Sequence, residues 1–197
     1  AANVSKLQTA WAFKVRPEGG GGAVSSATPI AVDGVLYLPV GNAVVAMDGA
    51  TGQEIWRHPV TGGAARRLVT WWPGDKDHAP RIFYSTGKTI DALDARTGQP
   101  VAGFGEGGAI TLDVPYNSPP TVYRNVLAIG ANTAEDPIGP PGDSRAFDAV
   151  TGKKLWQFHT VPQPGEPGHD TWLNDGWKGR SGTNVWNWWM TVDDRTG

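Results

Sequence analysis

The side chains able to do chemistry in this sequence are imidazoles, carboxylates, guanidinium groups and an unusual supply of indoles. The four histidines are His58, His78, His159 and His169, and they lack metal-ligand spacing. Cysteine is absent, which excludes disulfides, thiolate nucleophiles and cysteine-held zinc. No Gly-x-Ser-x-Gly elbow occurs. Gly103-Phe104-Gly105-Glu106-Gly107-Gly108 imitates a nucleotide-binding loop, but Ala109-Ile110-Thr111-Leu112-Asp113-Val114 after it has strand character, so the glycines mark a turn. Three other places carry residue types suited to holding a ligand. In Arg66-Arg67 a guanidinium can grip a carboxylate through two bonds. Glu135 is a hard oxygen donor of the kind Ca2+ takes. Trp186-Asn187-Trp188-Trp189 offers aromatic faces for a planar ring.

The elements that must position these groups are set by a repeat. Ala46-Met47-Asp48-Gly49-Ala50-Thr51-Gly52-Gln53-Glu54-Ile55-Trp56 returns as Ala146-Phe147-Asp148-Ala149-Val150-Thr151-Gly152-Lys153-Lys154-Leu155-Trp156. A weaker copy, Ala92-Leu93-Asp94-Ala95-Arg96-Thr97-Gly98, has Ala102 at the tryptophan position, and a fourth begins at Val192-Asp193-Asp194-Arg195-Thr196-Gly197. The period of about 45 to 55 residues belongs to propellers and solenoids. Each copy reads as a hairpin: a strand, an Asp-x-x-Thr-Gly corner, a second strand and a tryptophan. Asp and Thr bond the corner's backbone, and Gly supplies the positive φ. The tryptophan is large enough to wedge between neighbouring sheets, with its indole N–H donating to a carbonyl at the seam.

Composition agrees with a turn-rich β protein. Glycine (27) and proline (16) are frequent, which disfavours long helices, and hydrophobic residues make up 39%, enough for a core. The net charge of −2 gives no electrostatic support for binding nucleic acid or acidic lipid. No apolar run reaches the roughly 18 residues of a membrane-spanning helix. The sequence starts Ala1-Ala2-Asn3, with no Met or signal sequence, as a mature or excised product would.

Strand-like segments fill the intervals between corners. Trp11 to Val15 alternates and is expected to be a strand, with Trp11 closing a blade whose first strands are absent. Thr28 to Val40 holds two strands around Asp33-Gly34, and Ser118 to Gly130 repeats the scheme. Asn184 to Val192 is expected to be another strand. Val161 to Arg180 is a long polar insert, whose Trp172 and Trp177 argue for order. No linker divides the chain, so residues 1–197 read as a single incomplete all-β propeller domain of about three to four blades. An open stack leaves unpaired edges, so it is expected to be part of a larger ring.

The Asp-x-x-Thr-Gly-x-x-x-Trp hairpin resembles the tryptophan-docking motif of the eight-bladed quinoprotein dehydrogenases, which bind pyrroloquinoline quinone (PQQ). The resemblance covers nearly the whole chain. Asn3-Val4-Ser5-Lys6-Leu7 with Ala10-Trp11 looks like the family's opening blade. Phe158-His159-Thr160-Val161-Pro162-Gln163-Pro164-Gly165-Glu166 with His169-Asp170-Thr171-Trp172 looks like its glucose-dehydrogenase-like branch. It implies an N-terminal fragment of a periplasmic oxidoreductase acting on a sugar or alcohol hydroxyl, with PQQ and Ca2+ as cofactors. A quinone or cytochrome would accept the electrons, and the remaining blades of the parent chain would be partners. In such a site the metal polarises the reacting carbonyl, and the cofactor carries the redox chemistry.

The resemblance also implies roles residue by residue. Arg66-Arg67-Leu68-Val69-Thr70-Trp71-Trp72 is similar to a stretch whose arginine contacts the cofactor, which points to Arg67, although Leu68 stands where the family has glycine. Gly130-Ala131-Asn132-Thr133-Ala134-Glu135 resembles Gly-Ser-Ser-Gly-Ala-Glu, which gives Asn132 and Thr133 as cofactor contacts and Glu135 as metal ligand. The other reading of Glu135 is a loop acid beside Asp136-Pro137. Ser181-Gly182-Thr183-Asn184-Val185-Trp186 resembles a run in which Thr binds the cofactor and Trp stacks beneath it. That points to Thr183 and Trp186, with Trp188 and Trp189 as alternatives for the floor. Asn117 and Ser118 align near a position that donates a hydrogen bond to PQQ. His159, His169 and Asp170 are read as loop structure.

Alcohol oxidation needs a general base for the hydroxyl proton. The resemblance places it, an aspartate, and a second metal ligand, an asparagine, beyond Gly197, so no catalytic residue is assigned and these 197 residues alone are expected to be inactive. Two other readings are a non-catalytic eight-bladed scaffold of the outer-membrane assembly type, and a module in which two copies complete a ring.

Overall fold

The computed structural model describes residues 3–13, 27–64, 67–134, 136–185 and 190–196, and twelve strands among them form three four-stranded antiparallel sheets. The first contains β1 (Ile30–Val32), β2 (Val35–Val40), β3 (Ala43–Asp48) and β4 (Glu54–Pro59). The second contains β5 (Thr70–Trp72), β6 (Arg81–Ser85), β7 (Gly87–Asp94) and β8 (Ala109–Tyr116). The third contains β9 (Thr121–Tyr123), β10 (Val126–Ile129), β11 (Ser144–Asp148) and β12 (Lys154–Phe158). Strands within each sheet pair in chain order, the meander expected of propeller blades.

The corners form as their side chains dictate. Asp48 Oδ1 accepts the amides of Ala50 (3.0 Å) and Thr51 (2.7 Å) and the Thr51 hydroxyl (2.8 Å). Gly52 then turns at φ 72°, a left-handed value that suits glycine. Asp94 and Asp148 repeat the bonding with Thr97 and Thr151. Asp193 begins it again, accepting the Arg195 amide at 2.9 Å. The first and third sheets also share a bulge, between Ala46 and Met47 and between Ala146 and Phe147.

Both faces of a sheet are packed, so its strands are almost continuously apolar. Val44 and Ala46 face the second sheet with Trp56, Ile82, Tyr84 and Leu93. Ala43, Val45 and Met47 face the other way, against Trp11 and Phe13. Phe83, Ile90, Phe104, Leu127, Ile129 and Phe147 fill the seam between the second and third sheets.

One indole docks the N-terminal segment on the first sheet, and another closes the seam between the first and second sheets. Trp11 Nε1 donates to Gly49 O at 3.1 Å, and its ring covers Gly52. Trp56, 9% exposed, donates to Ala95 O at 3.0 Å and covers Gly98. In both, the acceptor follows the corner aspartate and the ring rests on the corner glycine. The equivalent acceptor in the third sheet is Ala149, and the second sheet has Ala102 in place of the indole. Arg81 supplies the missing donor. It is buried, its Nη1 donates to Ala149 O and Val150 O at 2.7 Å each, and its guanidinium lies 5.2 Å from the centre of the Trp72 ring. Trp156, in the next position of the series, is 46% exposed.

Two expected strands are corrected. Described residues 7–13 form no strand, and Trp11 engages the first sheet through its indole. Described residues 184–185 and 190–192 are not strand either; 184–185 are held across the ends of β10 and β11 by side-chain bonds. The glycines at 105, 107 and 108 form a turn with positive φ before β8, as expected.

Candidate functional site

Strand pairing divides the loops between two rims. Ile30 pairs with Tyr37, Val40 with Ala43, and Ala43 with Pro59. The start of β1, the β2–β3 turn and the end of β4 therefore share one rim, here the upper, and the Asp-x-x-Thr-Gly corners share the lower. The same pairing in the other two sheets puts residues 60–69, 85–86, 117–120, 130–143 and 159–185 on the upper rim. Of the sequence-predicted site residues, Arg67, Asn117, Asn132, Thr133 and Thr183 fall in these segments.

Asn117 and Asn132 are brought together: the Asn117 amide donates to Asn132 Oδ1 at 3.2 Å, and the Asn132 amide donates to Pro115 O at 2.7 Å. Thr133 meets the segment carrying Thr183. Its amide (3.0 Å) and hydroxyl (2.6 Å) both donate to Asn184 Oδ1, while Asn184 Nδ2 donates to Thr133 O at 3.0 Å. Thr183 itself is exposed. Arg67 is exposed, and its carbonyl accepts the Thr28 amide at 2.6 Å, which ties the approach to β5 to the approach to β1. Thr70 Oγ1 donates to Pro120 O at 2.7 Å, joining the start of β5 to the 117–120 segment. Glu135, Arg66 and Trp186, with Trp188 and Trp189, lie outside the described residues.

Two glycines let the 181–185 segment lie close. A Cβ on Gly130 would overlap the Val185 carbonyl oxygen, and one on Gly142 would sit 2.5 Å from Thr183 O. The Gly142 amide also donates to Ser181 O at 2.6 Å. In the 117–120 segment Ser118 is fully buried and its hydroxyl has no partner among the described residues. Buried hydroxyls are normally satisfied, so an orphan donor on a rim of converging loops points to a ligand atom. Tyr116 next to it is buried, which pushes its phenol well above its ordinary value and keeps it a neutral donor, here to Pro119 O at 3.3 Å.

Charged residues brace the layer from behind. Buried Arg145 pairs with Asp113, and its Nη2 donates to Gly130 O at 2.8 Å. Buried Asp143 accepts the Gln157 amide group at 2.8 Å and the Thr160 amide at 2.9 Å. His159 Nδ1 lies 2.7 Å from Glu166 Oε1. The Gln163 amide and then His159 hold the Glu166 carboxyl below its ordinary value. His159 is thus loop structure, as the sequence reading has it.

Sequence reasoning passed over Asn184, Asp143 and Arg145. Asn184 was within reach, since it lies inside the quoted Ser181–Trp186 run; Arg145 sits in β11, whose pattern shows only a blade, and Asp143 just before it. A cleft of about 430 Å³ between the second and third sheets is lined by Glu106, Ile110, Asp113, Phe147 and Lys154, so that the partner of Arg145 forms part of its wall.

Blade-like sheets with wedged indoles define part of a β-propeller. Residues 1–197 match the family described as PQQ: glucose/ethanol/alcohol dehydrogenase, beta-propeller domain, and the chain belongs to that family. It is 31% identical to the quinohemoprotein alcohol dehydrogenase of Comamonas testosteroni, over 98% of this chain and 29% of that protein. It is 33% identical to the quinohemoprotein alcohol dehydrogenase ADH IIB of Pseudomonas putida, over 95% and 28%. The crystal structure of the Comamonas testosteroni enzyme superposes on 84% of this chain and 25% of that one, with a TM-score of 0.63 at 28% identity. The chain thus spans less than a third of the length of these relatives.

Proposed function

We propose that this chain is a sector of a PQQ-dependent dehydrogenase that oxidises a hydroxyl group of an alcohol or sugar. Family membership supports the reading, as does the fact that relatives of similar sequence are named alcohol and glycerol dehydrogenases. The rim fits the cofactor's chemistry. A flat ring system with three carboxylates calls for peripheral donors, one or more cations and an aromatic floor. When bound, PQQ supplies the two-electron acceptor for converting the hydroxyl to a carbonyl.

The chain's own residues do the holding. Arg67 grips a carboxylate through its planar fork, Ser118, Asn117, Asn132 and Thr183 supply neutral donors, and Thr133 holds Asn184 beside them. Gly130 and Gly142 let the 183–185 backbone lie close over the end of β10 and the start of β11. Trp186 is the floor. Glu135 gives carboxylate oxygen to Ca2+, as that ion requires. No residue here is assigned as general base.

Half-exposed Trp156 supports a larger ring, because its counterparts Trp11 and Trp56 each lie against a following corner. The next corner in the chain is the one at Asp193. We assign the remaining sheets as its structural partners, a quinone or a cytochrome as electron acceptor, and the periplasm as the compartment.

The observation that carries the reading is the buried Ser118 hydroxyl, which has no partner among the described residues and lies on the rim that also carries Arg67, Asn117, Asn132, Thr133 and Thr183. The test is titration of the protein containing this chain with PQQ and Ca2+, followed by tryptophan fluorescence. Saturable, Ca2+-dependent quenching that weakens in Arg67→Ala and Ser118→Ala is expected. Quenching unaltered by both substitutions would overturn it.

A further inference from the structure

Two buried charges stand two residues apart where β11 begins, and each reaches a different upper-rim loop. Arg145, 1% exposed, pairs through Nη1 with Asp113 on β8 and donates from Nη2 to Gly130 O at 2.8 Å and Val114 O at 3.4 Å. Gly130 opens the loop that carries Asn132 and Thr133. Asp143, 3% exposed, accepts the Thr160 amide at 2.9 Å, the Thr160 hydroxyl at 3.3 Å and Gln157 Nε2 at 2.8 Å. Thr160 lies directly under Gly182, where a Cβ would overlap the threonine hydroxyl, and Gly182 precedes Thr183.

Apolar side chains at 143 and 145 would serve the sheet equally well, since neighbouring Ala146 and Phe147 are ordinary core. Burying a charge is costly unless it is paired and hydrogen-bonded. What the two charges add is direction. A guanidinium fork fixes a carbonyl and a carboxylate at once, and a carboxylate collects several donors around one point.

We propose that Asp143 and Arg145 are paired positioning residues that clamp the two loops facing the cofactor, Arg145 through the carbonyl of Gly130 and Asp143 through Thr160 beneath Gly182. The clamp rests on the assignment of the upper rim as the PQQ site. Because Thr133 and Asn184 bond across the two loops, setting both bases sets the spacing of the donors between them.

The test uses R145K and D143N in the protein that contains this chain, with two readouts. In hydrogen exchange without cofactor, R145K is expected to speed the amides of 131–134 by about tenfold and leave 181–185 nearly unchanged, and D143N the reverse. In titration, each raises the apparent Kd for PQQ by about tenfold, while kcat at saturating PQQ stays within about twofold of wild type. If exchange rises across β9 to β12 together, in step with a lowered Tm, the two residues merely hold the sheet and the proposal falls. It also falls if loop exchange changes as expected and the Kd does not. Should wild type bind no PQQ, the functional assignment fails, and the exchange pattern alone decides whether each residue clamps its own loop. If either variant does not fold, R145Q or Thr160→Val, which cuts away only part of a clamp, is read in the same way.

Discussion

Replacing Arg81 with methionine tests how the second and third sheets are held together. The guanidinium makes two 2.7 Å bonds to the carbonyls of Ala149 and Val150. Hydrogen bonds to a charged group contribute about 1.5–3 kcal/mol each, so their loss removes about 3–6 kcal/mol. The contact with Trp72 at 5.2 Å adds about 0.5–1 kcal/mol. Against this, arginine is buried at a cost: burial pulls its pKa below its ordinary value, while Asp148 and Asp75 partly restore it. Methionine escapes that cost and fills much of the same volume. The net expectation is a loss of about 2–4 kcal/mol, or a fall in Tm of about 5–15 °C for a chain of this size. Urea unfolding by tryptophan fluorescence measures the first and calorimetry the second. Hydrogen exchange should show the loss first at Val150 and Thr151, with Ala50 and Thr51 in the first sheet unaffected. A change below about 0.5 kcal/mol, the scale of an ordinary surface substitution, would refute the view that Arg81 does the work of an absent indole.

Gly98→Ala should destabilise the seam between the first and second sheets by about 2–4 kcal/mol, because φ is 70° there and the new Cβ would lie 2.6 Å from Trp56 Cε3; thermal unfolding checks this. Burial raises the Asp91 carboxyl above its ordinary 3.8, outweighing the bonds from Thr89 and Tyr84 and the charge of His58. A carboxyl raised on folding contributes stability below its unfolded value and loses it as pH rises through the folded value. Asp91→Asn should therefore flatten the decline in stability from about pH 4 upward, measured by urea unfolding at several pH values. Asn184→Ala removes the acceptor for both Thr133 donors and should weaken PQQ binding by about tenfold in a fluorescence titration while leaving Tm within a few degrees.

Much of the fold was legible because its signals are local. Each Asp-x-x-Thr-Gly corner is bonded within five residues, so Asp48, Asp94 and Asp148 could be read without knowing what they pack against. The strands between them followed, and so did the propeller. Segments held by side chains were misread: residues near Trp11 alternate like a strand yet form none, and an indole docks them. The segment beginning at Asn184 failed for the same reason, being laid over Gly130 and Gly142 by Thr133 and Asn184. Those two glycines give no local sign of their task, because the atoms they make room for lie more than forty residues away.

The site divides along the same line. The residue types were present in the chain: a guanidinium at 67, small polar donors at 117, 132, 133 and 183, and indoles near 186. The order of amino acids by itself determined the corners, the period and the class of ligand those types could hold, since each depends on neighbours a few positions apart or on side-chain chemistry alone. Only the tertiary structure decided that the upper-rim loops converge, that the buried Ser118 hydroxyl has no partner among the described residues, that Arg81 and Arg145 act across sheets, and that Asp143 gathers Gln157 and Thr160. Those facts depend on antiparallel pairing and on which face each strand turns inward, and both are settled when the sheets pack.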